Sequence, residues 1–411
     1  MLGGAQCGRP RQLPGRLQRI WLRGATAVRW RGGGIRGDAE HMRDQPAAER
    51  DVIWSGREPG PRRTPSPRLL ALLALVVLVV AVVAVFVLPR RAGARGPRGP
   101  GGPVQVADVG HPLLGVRAGW ELFGLGAGEV VRIRLARGRI TRTAFPGLLS
   151  SGPVTLLAGP HQAIVRPLDY VPGYLVPDGQ TARPLRGALN SGGVVLPGPR
   201  PGEFWMESGD GGHMSMLLVG PGGNRLGPEL LTPMVTGWPF PDGRGYLMVQ
   251  RGAGVYDEGP GWRRFVTSGV VAAVGPARWL AVECPQGHCR YLVINPASRS
   301  RYLLLARRAP ASRSVAPFAG AISPGGQFAA LVVYRRDGKP SLRLLDLVSC
   351  AVLLSVPVNP DTLGNAVWSP DGRWLFAVGP DGRLLAINPV TQAVQGIGVS
   401  LPPLSALAVR A

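Results

Sequence analysis

A phased repeat of roughly 42 residues limits this chain to a small set of architectures. Its sharpest copy is Trp368-Ser369-Pro370-Asp371-Gly372-Arg373-Trp374-Leu375-Phe376, which reads as a strand, a tight turn and a second strand. Ser323-Pro324-Gly325-Gly326-Gln327-Phe328 repeats it, and weaker copies start near Pro276, Pro241, Pro201 and Pro160. The marker prolines at 160, 201, 241, 276, 324 and 370 stand 41, 40, 35, 48 and 46 residues apart. A second marker keeps the same phase: Asn295-Pro296 and Asn388-Pro389 close apolar runs, and Leu344-Leu345-Asp346-Leu347 takes that place between them. Apolar runs between the markers are short and separated by Gly, Pro and Asp-Gly turns, where glycine tolerates positive φ. About four strands per unit is the content of a propeller blade. Seven such units fit after residue 112, so the expectation is an all-β, seven-bladed propeller over 105–411. Leu404–Arg410 has the place of an innermost strand that would complete the first blade and seal the ring. A pair of β-sandwiches is the other all-β arrangement, but it does not explain the sustained phase.

The second strong feature lies upstream. Residues 69–88 are twenty apolar residues without a charge. At about 1.5 Å rise per residue such a helix spans roughly 30 Å, a bilayer's hydrocarbon core. The run is longer than a cleaved signal's apolar region and is followed directly by Pro89-Arg90-Arg91, so it reads as an uncleaved signal anchor. Five arginines precede it (Arg50, Arg57, Arg62, Arg63, Arg68) and four follow (Arg90, Arg91, Arg95, Arg98), which tips the N-terminus toward the cytoplasm. The distal domain is then expected outside the cell membrane, behind a Pro/Gly linker over 89–104. Residues 1–68 form an Arg-rich tail without apolar period, expected to be disordered. Within it 1–41 has the character of a mis-assigned start, and Met42 is the candidate initiator.

The net charge is +23, carried almost wholly by arginine because Lys339 is the only lysine. GC-rich codon usage, which favours Arg over Lys, is the plainer cause, and selection for an anionic partner is the alternative. Arg132, Arg134, Arg137, Arg139 and Arg142 cluster in the first unit. Arg132 and Arg134 share a face if the segment is a strand, where a teichoic-type polymer, a lipid headgroup or an acidic protein could dock. A solvated outer strand is the plainer alternative. Trp205, Trp238, Tyr256 and Trp262 belong to an aromatic run that is either packing between blades or a rim that binds sugars or peptides. Cys284 and Cys289 flank four residues and would face each other across a hairpin, within reach of a disulfide, with free thiols or a metal as the alternatives.

Catalytic signatures are missing. Gly124, Gly126 and Gly128 precede an alternating strand rather than a helix, so they form a turn and not a dinucleotide loop. No nucleophile elbow, phosphate loop or zinc-protease helix occurs, and no metal or cofactor is expected. His161 and His213 fall in loops that open on opposite ends of a propeller and cannot share an ion.

The run WSPDGRWLFAV at 368–378, echoed by ISPGGQFAALVV at 322–333, resembles the repeat of TolB-type and WD-repeat-like β-propellers of bacterial envelopes. The resemblance is good over about 270–400 and weakens upstream, and the Trp-Asp ending and Gly-His pair of eukaryotic WD repeats are absent. It implies a propeller outside the cytoplasm that binds other macromolecules. The expected function is therefore a membrane-anchored, non-enzymatic binding or scaffold module for an envelope protein or anionic polymer, with no specific nucleic acid. The alternatives are a propeller enzyme of lactonase, lyase or cyclotransferase type with its site in the central channel, and a sensor coupled to a cytoplasmic partner.

Overall fold

A computed structural model describes residues 102–145, 154–167, 173–185, 193–210, 213–221, 223–232, 239–285, 288–304, 315–317, 319–335, 337–359 and 366–411. The tail, the apolar run 69–88 and most of the linker lie outside the described residues. Among the described residues no helix is long and apolar enough to cross a membrane.

The chain enters at β1 (Val104–Asp108), then makes the meander β2 (Glu121–Gly126), β3 (Glu129–Arg134), β4 (Arg139–Ala144). The second sheet is β5 (Val154–Ala158), β6 (Gln162–Pro167), β7 (Tyr174–Pro177), β8 (Arg183–Pro184). The third is β9 (Val195–Pro197), β10 (Phe204–Asp210), β11 (His213–Val219), β12 (Leu230–Thr232). The fourth is β13 (Phe240–Pro241), β14 (Leu247–Arg251), β15 (Gly254–Gly259), β16 (Trp262–Thr267). Then come β17 (Val270–Val274), β18 (Trp279–Glu283), β19 (Arg290–Ile294) and β20 (Arg301–Leu304). They are followed by β21 (Gly320–Ile322), β22 (Phe328–Tyr334), β23 (Pro340–Asp346) and β24 (Ala351–Pro357). The last sheet is β25 (Ala366–Trp368), β26 (Leu375–Val378), β27 (Leu384–Ile387), β28 (Val394–Gln395). Finally β29 (Leu404–Arg410) returns to the first sheet, whose order is β1-β4-β3-β2-β29.

The first strands of successive sheets touch in the cyclic order β29, β5, β9 and β13, then β17, β21, β25 and β29 again, with β17 reached from the fourth sheet through β15. The sheets therefore stand radially around an axis, and the fold is a β-propeller closed by its last strand. The apolar cores lie between neighbouring sheets, as where Leu122 and Ile133 meet Phe376 and Val378 on one side of the first sheet. Phe123 and Leu125 meet Ala163 and Val165 on the other. A middle strand is thus covered on both faces, and β2 is buried throughout. This is why these strands read as continuous apolar runs rather than alternating ones. The outermost β24 and β28 have one covered face at most and are largely exposed.

Seven separate blades were expected, and that count is corrected. Among the described residues five sheets stand as separate blades of four or five strands, while β17–β24 form one eight-stranded sheet. The fusion is a short parallel pairing of β17 with β21, Ala273 opposite Gly320 and Val274 opposite Ala321. A Cβ on Gly320 would sit 2.5 Å from the Ala272 carbonyl oxygen and 2.7 Å from the Ala273 Cβ, so only glycine lets the two strands close to hydrogen-bonding distance.

Both sequence markers are turns with side-chain closure. Ser369 Oγ accepts from the Trp374 amide at 2.9 Å and donates to Asp371 Oδ1 at 2.6 Å, while Gly372 takes φ +68°. Ser323 Oγ likewise accepts from the Phe328 amide at 3.0 Å. In the weaker copy Asp242 does the same work, its Oδ1 accepting from the Arg244 amide at 2.7 Å and the Tyr246 amide at 2.8 Å. The second marker closes third-to-fourth strand turns: Asn295 Oδ1 accepts from Ala297 and Ser298, and Asn388 Oδ1 from Val390 and Thr391. The glycines at 124, 126 and 128 form the β2–β3 hairpin, with Gly128 at φ +77°.

Candidate functional site

The first sheet faces the second across a cleft of about 320 Å³ lined on one side by Arg132, Arg134, Arg139 and Thr141 and on the other by Asp178 and Gly179. Strand register puts these groups there. Arg132 pairs across the ladder with Phe123 and Thr141, and Arg134 with Arg139, so all of these side chains leave on one face. Asp108 of β1 extends the row beyond Arg139. On the inner side β29 brings Arg410 opposite Glu121.

These charges form a network. Arg132 donates from Nε and Nη2 to the two oxygens of Glu121, at 2.9 and 2.8 Å. Arg134 Nε reaches Glu121 Oε1 at 3.0 Å, and Arg410 binds its other oxygen. Arg410 also grips Asp178 with both terminal nitrogens, at 3.1 and 2.9 Å, and donates to the Gly159 carbonyl at 3.1 Å. The last strand is thereby stapled to two turns of the second sheet. Burial alone would raise the Glu121 carboxyl, but the hydrogen bonds and charge of Arg132, with Arg410, outweigh it and hold it below its ordinary value.

The five arginines singled out by sequence do not form one patch. Arg132, Arg134 and Arg139 share the cleft face. Arg142 belongs to the opposite face, bound through Nε and Nη2 to the carboxylate of buried Glu129. Arg137 sits exposed in the turn between β3 and β4. Sequence reasoning missed Glu121, Asp178 and Arg410, which lie up to 289 residues apart and meet only through ring closure.

A second cluster lies between the fourth sheet and the eight-stranded one. Arg244 bridges two buried carboxylates, Asp242 at 2.8 Å and Asp257 at 2.8 Å, and lies 5.0 Å over the Trp279 ring. Burial, reinforced by the neighbouring Asp242, pushes the Asp257 carboxyl up to about 6, with Arg244 and Arg264 pulling back. Its Oδ1 is buried without a hydrogen-bond partner among the described residues. Asp257 is on a third strand, away from the axis.

The aromatics separate as well. Trp205 is not at a rim: it is fully buried in the core between the third and fourth sheets, its indole donating to the Gly245 carbonyl at 2.8 Å. Trp279 does the same from the other side, donating to the Asp242 carbonyl at 2.7 Å. Tyr256 meets Phe265 edge-on at 5.6 Å, and Trp262 meets Tyr246 at 5.0 Å with Arg264 stacked 4.7 Å over it. Trp238 lies outside the described residues. Cys284 and Cys289 are joined as a disulfide at the ends of the β18–β19 connection. His161 lies in the first-to-second strand connection of the second sheet, whereas His213 is the first residue of β11, paired with Asp210 where β10 turns into β11 at the opposite end of its own sheet.

No protein-family model and no curated protein matches the sequence. Among solved structures the chain is similar to TolB from Acinetobacter baumannii, at 12% identity and TM-score 0.41 over 71% of this chain and 82% of that one. It is also similar to AztD from Citrobacter koseri, at 12% identity and TM-score 0.39 over 71% of this chain and 97% of that one. A third likeness is to the S511A mutant of puromycin hydrolase complexed with PGG, at 16% identity and TM-score 0.42 over 68% of this chain and 52% of that one. Likenesses this distant carry no argument about ligand or activity; the propeller is established here by its own strand order.

Proposed function

We propose that the chain is a membrane-tethered, extracytoplasmic β-propeller that works as a non-enzymatic binding or scaffold module for an envelope protein or polymer. The observation that supports the non-enzymatic part is the make-up of the inner ring. A channel enzyme draws convergent polar groups from several blades at one depth. The axial strands β5, β9, β13, β17, β21, β25 and β29 contribute two hydroxyls and one charge among the described residues. Thr155 Oγ1 donates to the Arg166 carbonyl at 3.1 Å, Ser405 Oγ to the Leu125 carbonyl at 3.3 Å, and Arg410 is consumed by Glu121 and Asp178. The buried carboxylates of the described residues, Glu121, Glu129, Glu207, Asp242, Asp257 and Glu258, each hold an arginine or backbone amides, which is structural use of acidic groups.

The tether and its direction rest on the apolar run 69–88 and its flanking arginines. In vivo crosslinking and pull-down of the full chain is expected to recover a reproducible envelope protein or polymer. Recovery of none, together with turnover of lactone or polysaccharide substrates by the purified chain, would overturn the reading. Protease added to intact cells is expected to degrade the propeller; resistance until lysis would reverse the orientation.

A further inference from the structure

We propose that the cleft between the first two sheets is a binding site for a phosphodiester group, seated between Arg134 and Arg139. This deepens the reading of the chain as a binding module and rests on it. Along one row of the first sheet the charges run Arg410, Glu121, Arg134, Arg139, Asp108. Two guanidinium groups therefore stand directly opposite each other on neighbouring strands, an arrangement that is unfavourable for like charges unless something negative lies between them. Their carboxylate partners are on the outer flanks. Among the described residues Arg134 is held only through Nε by Glu121 at 3.0 Å, and Arg139 through Nε and Nη2 by a single oxygen of Asp108, at 3.2 and 3.1 Å. Both side chains stay partly exposed, at 31% and 43%.

The remaining guanidinium edges, with the hydroxyl of Thr141 and the amide of Gln105, border the cleft. Planar forks and a hydroxyl suit the oxygens of a phosphate group. Among the described residues Arg132, Arg134, Arg139 and Arg410 of the network face Glu121, Asp178 and Asp108, four positive against three negative charges. The surplus of one matches a phosphodiester, which carries a single charge, better than a phosphomonoester. A volume of about 320 Å³ admits the phosphate with one flanking glycerol or small sugar. Such a group is found in soluble polyol-phosphate polymers and in anionic lipid headgroups.

The test is calorimetric titration of the full chain with glycerophosphoglycerol at low ionic strength, beside co-sedimentation with phosphatidylglycerol and phosphatidylcholine vesicles. Saturable binding is expected, weakened about tenfold by Arg134→Gln and by Arg139→Gln. Thr141→Val, which leaves every charge in place, is expected to weaken it roughly threefold. Arg373→Gln, in a turn of the last sheet, is expected to bind as the wild type. Thermal melting of each variant separates lost binding from lost folding. Arginine-dependent binding of the soluble diester assigns the site to polymer, and arginine-dependent binding of phosphatidylglycerol vesicles alone assigns it to lipid. Failure of the wild type to bind either, or unchanged binding by folded Arg134→Gln and Arg139→Gln, would overturn the site. A cellular partner still captured by those variants would leave the binding-module reading standing without this cleft.

Discussion

The seam between the first and second sheets and the seam behind the fourth sheet use the same residue types to opposite effect. At the first, Glu121 is shared by Arg132, Arg134 and Arg410, and its carboxyl is held below the ordinary range. At the second, Arg244 alone bridges Asp242 and Asp257, and Asp257 is pushed up to about 6. Burial opposes ionisation in both places. At Glu121 the guanidinium groups outweigh it, whereas at Asp257 the neighbouring Asp242 carboxylate adds to it and Arg244 and Arg264 do not restore the balance, so an arginine-rich composition can serve as stapling in one seam and leave a charge shortage in another.

Glu121→Gln separates the two seams most strongly. It leaves three arginines with too little negative charge and is expected to cost about 3 kcal/mol in urea unfolding, as for loss of one partner from a buried ion network. Next is the pH dependence. Unfolded, Asp257 gives up its proton near 3.9, whereas folded it keeps it to about 6. The folded state binds more protons in that window, so stability falls as pH rises from about 4 to 6, by up to roughly 3 kcal/mol. Asp257→Asn is expected to flatten this slope in melts across pH. Glu121 acts the other way: its contribution is present above the ordinary glutamate range and is lost on acidification. The smallest expected effect is Trp279→Phe, which removes one indole hydrogen bond to the Asp242 turn at about 1 kcal/mol, measurable as a shift in denaturation midpoint.

The turns were the most legible part of the fold, because Ser369, Ser323, Asn295 and Asn388 close them with their own side chains and leave a local signature. The closing strand Leu404–Arg410 was readable from phase alone. Strand β1 was not: its five residues are mostly exposed, so nothing in Val104–Asp108 marks it as sheet. The fusion of β17 with β21 was hidden too, since Gly320 reads as an ordinary turn residue until a partner backbone is placed beside it. In the candidate site the shared face of Arg132 and Arg134 followed from a period of two. Their partners did not, because Arg410 reaches Glu121 and Asp178 only once the ring has closed. Trp205 and Trp262 are the same residue type, and only the packing tells that one is core and the other half-exposed.

Strand β1 has a mechanical meaning. It is the outermost strand of the sheet that also holds the closing strand β29. A pull on the chain preceding Val104 loads the ladder to β4 at its far edge, where Val104 faces Arg142, and opens it one rung at a time. Such unzipping needs little force and absorbs length. The load reaches β2, and through it the closure with β29, only after β1 has been spent. The five residues act as a fuse between any tether and the ring.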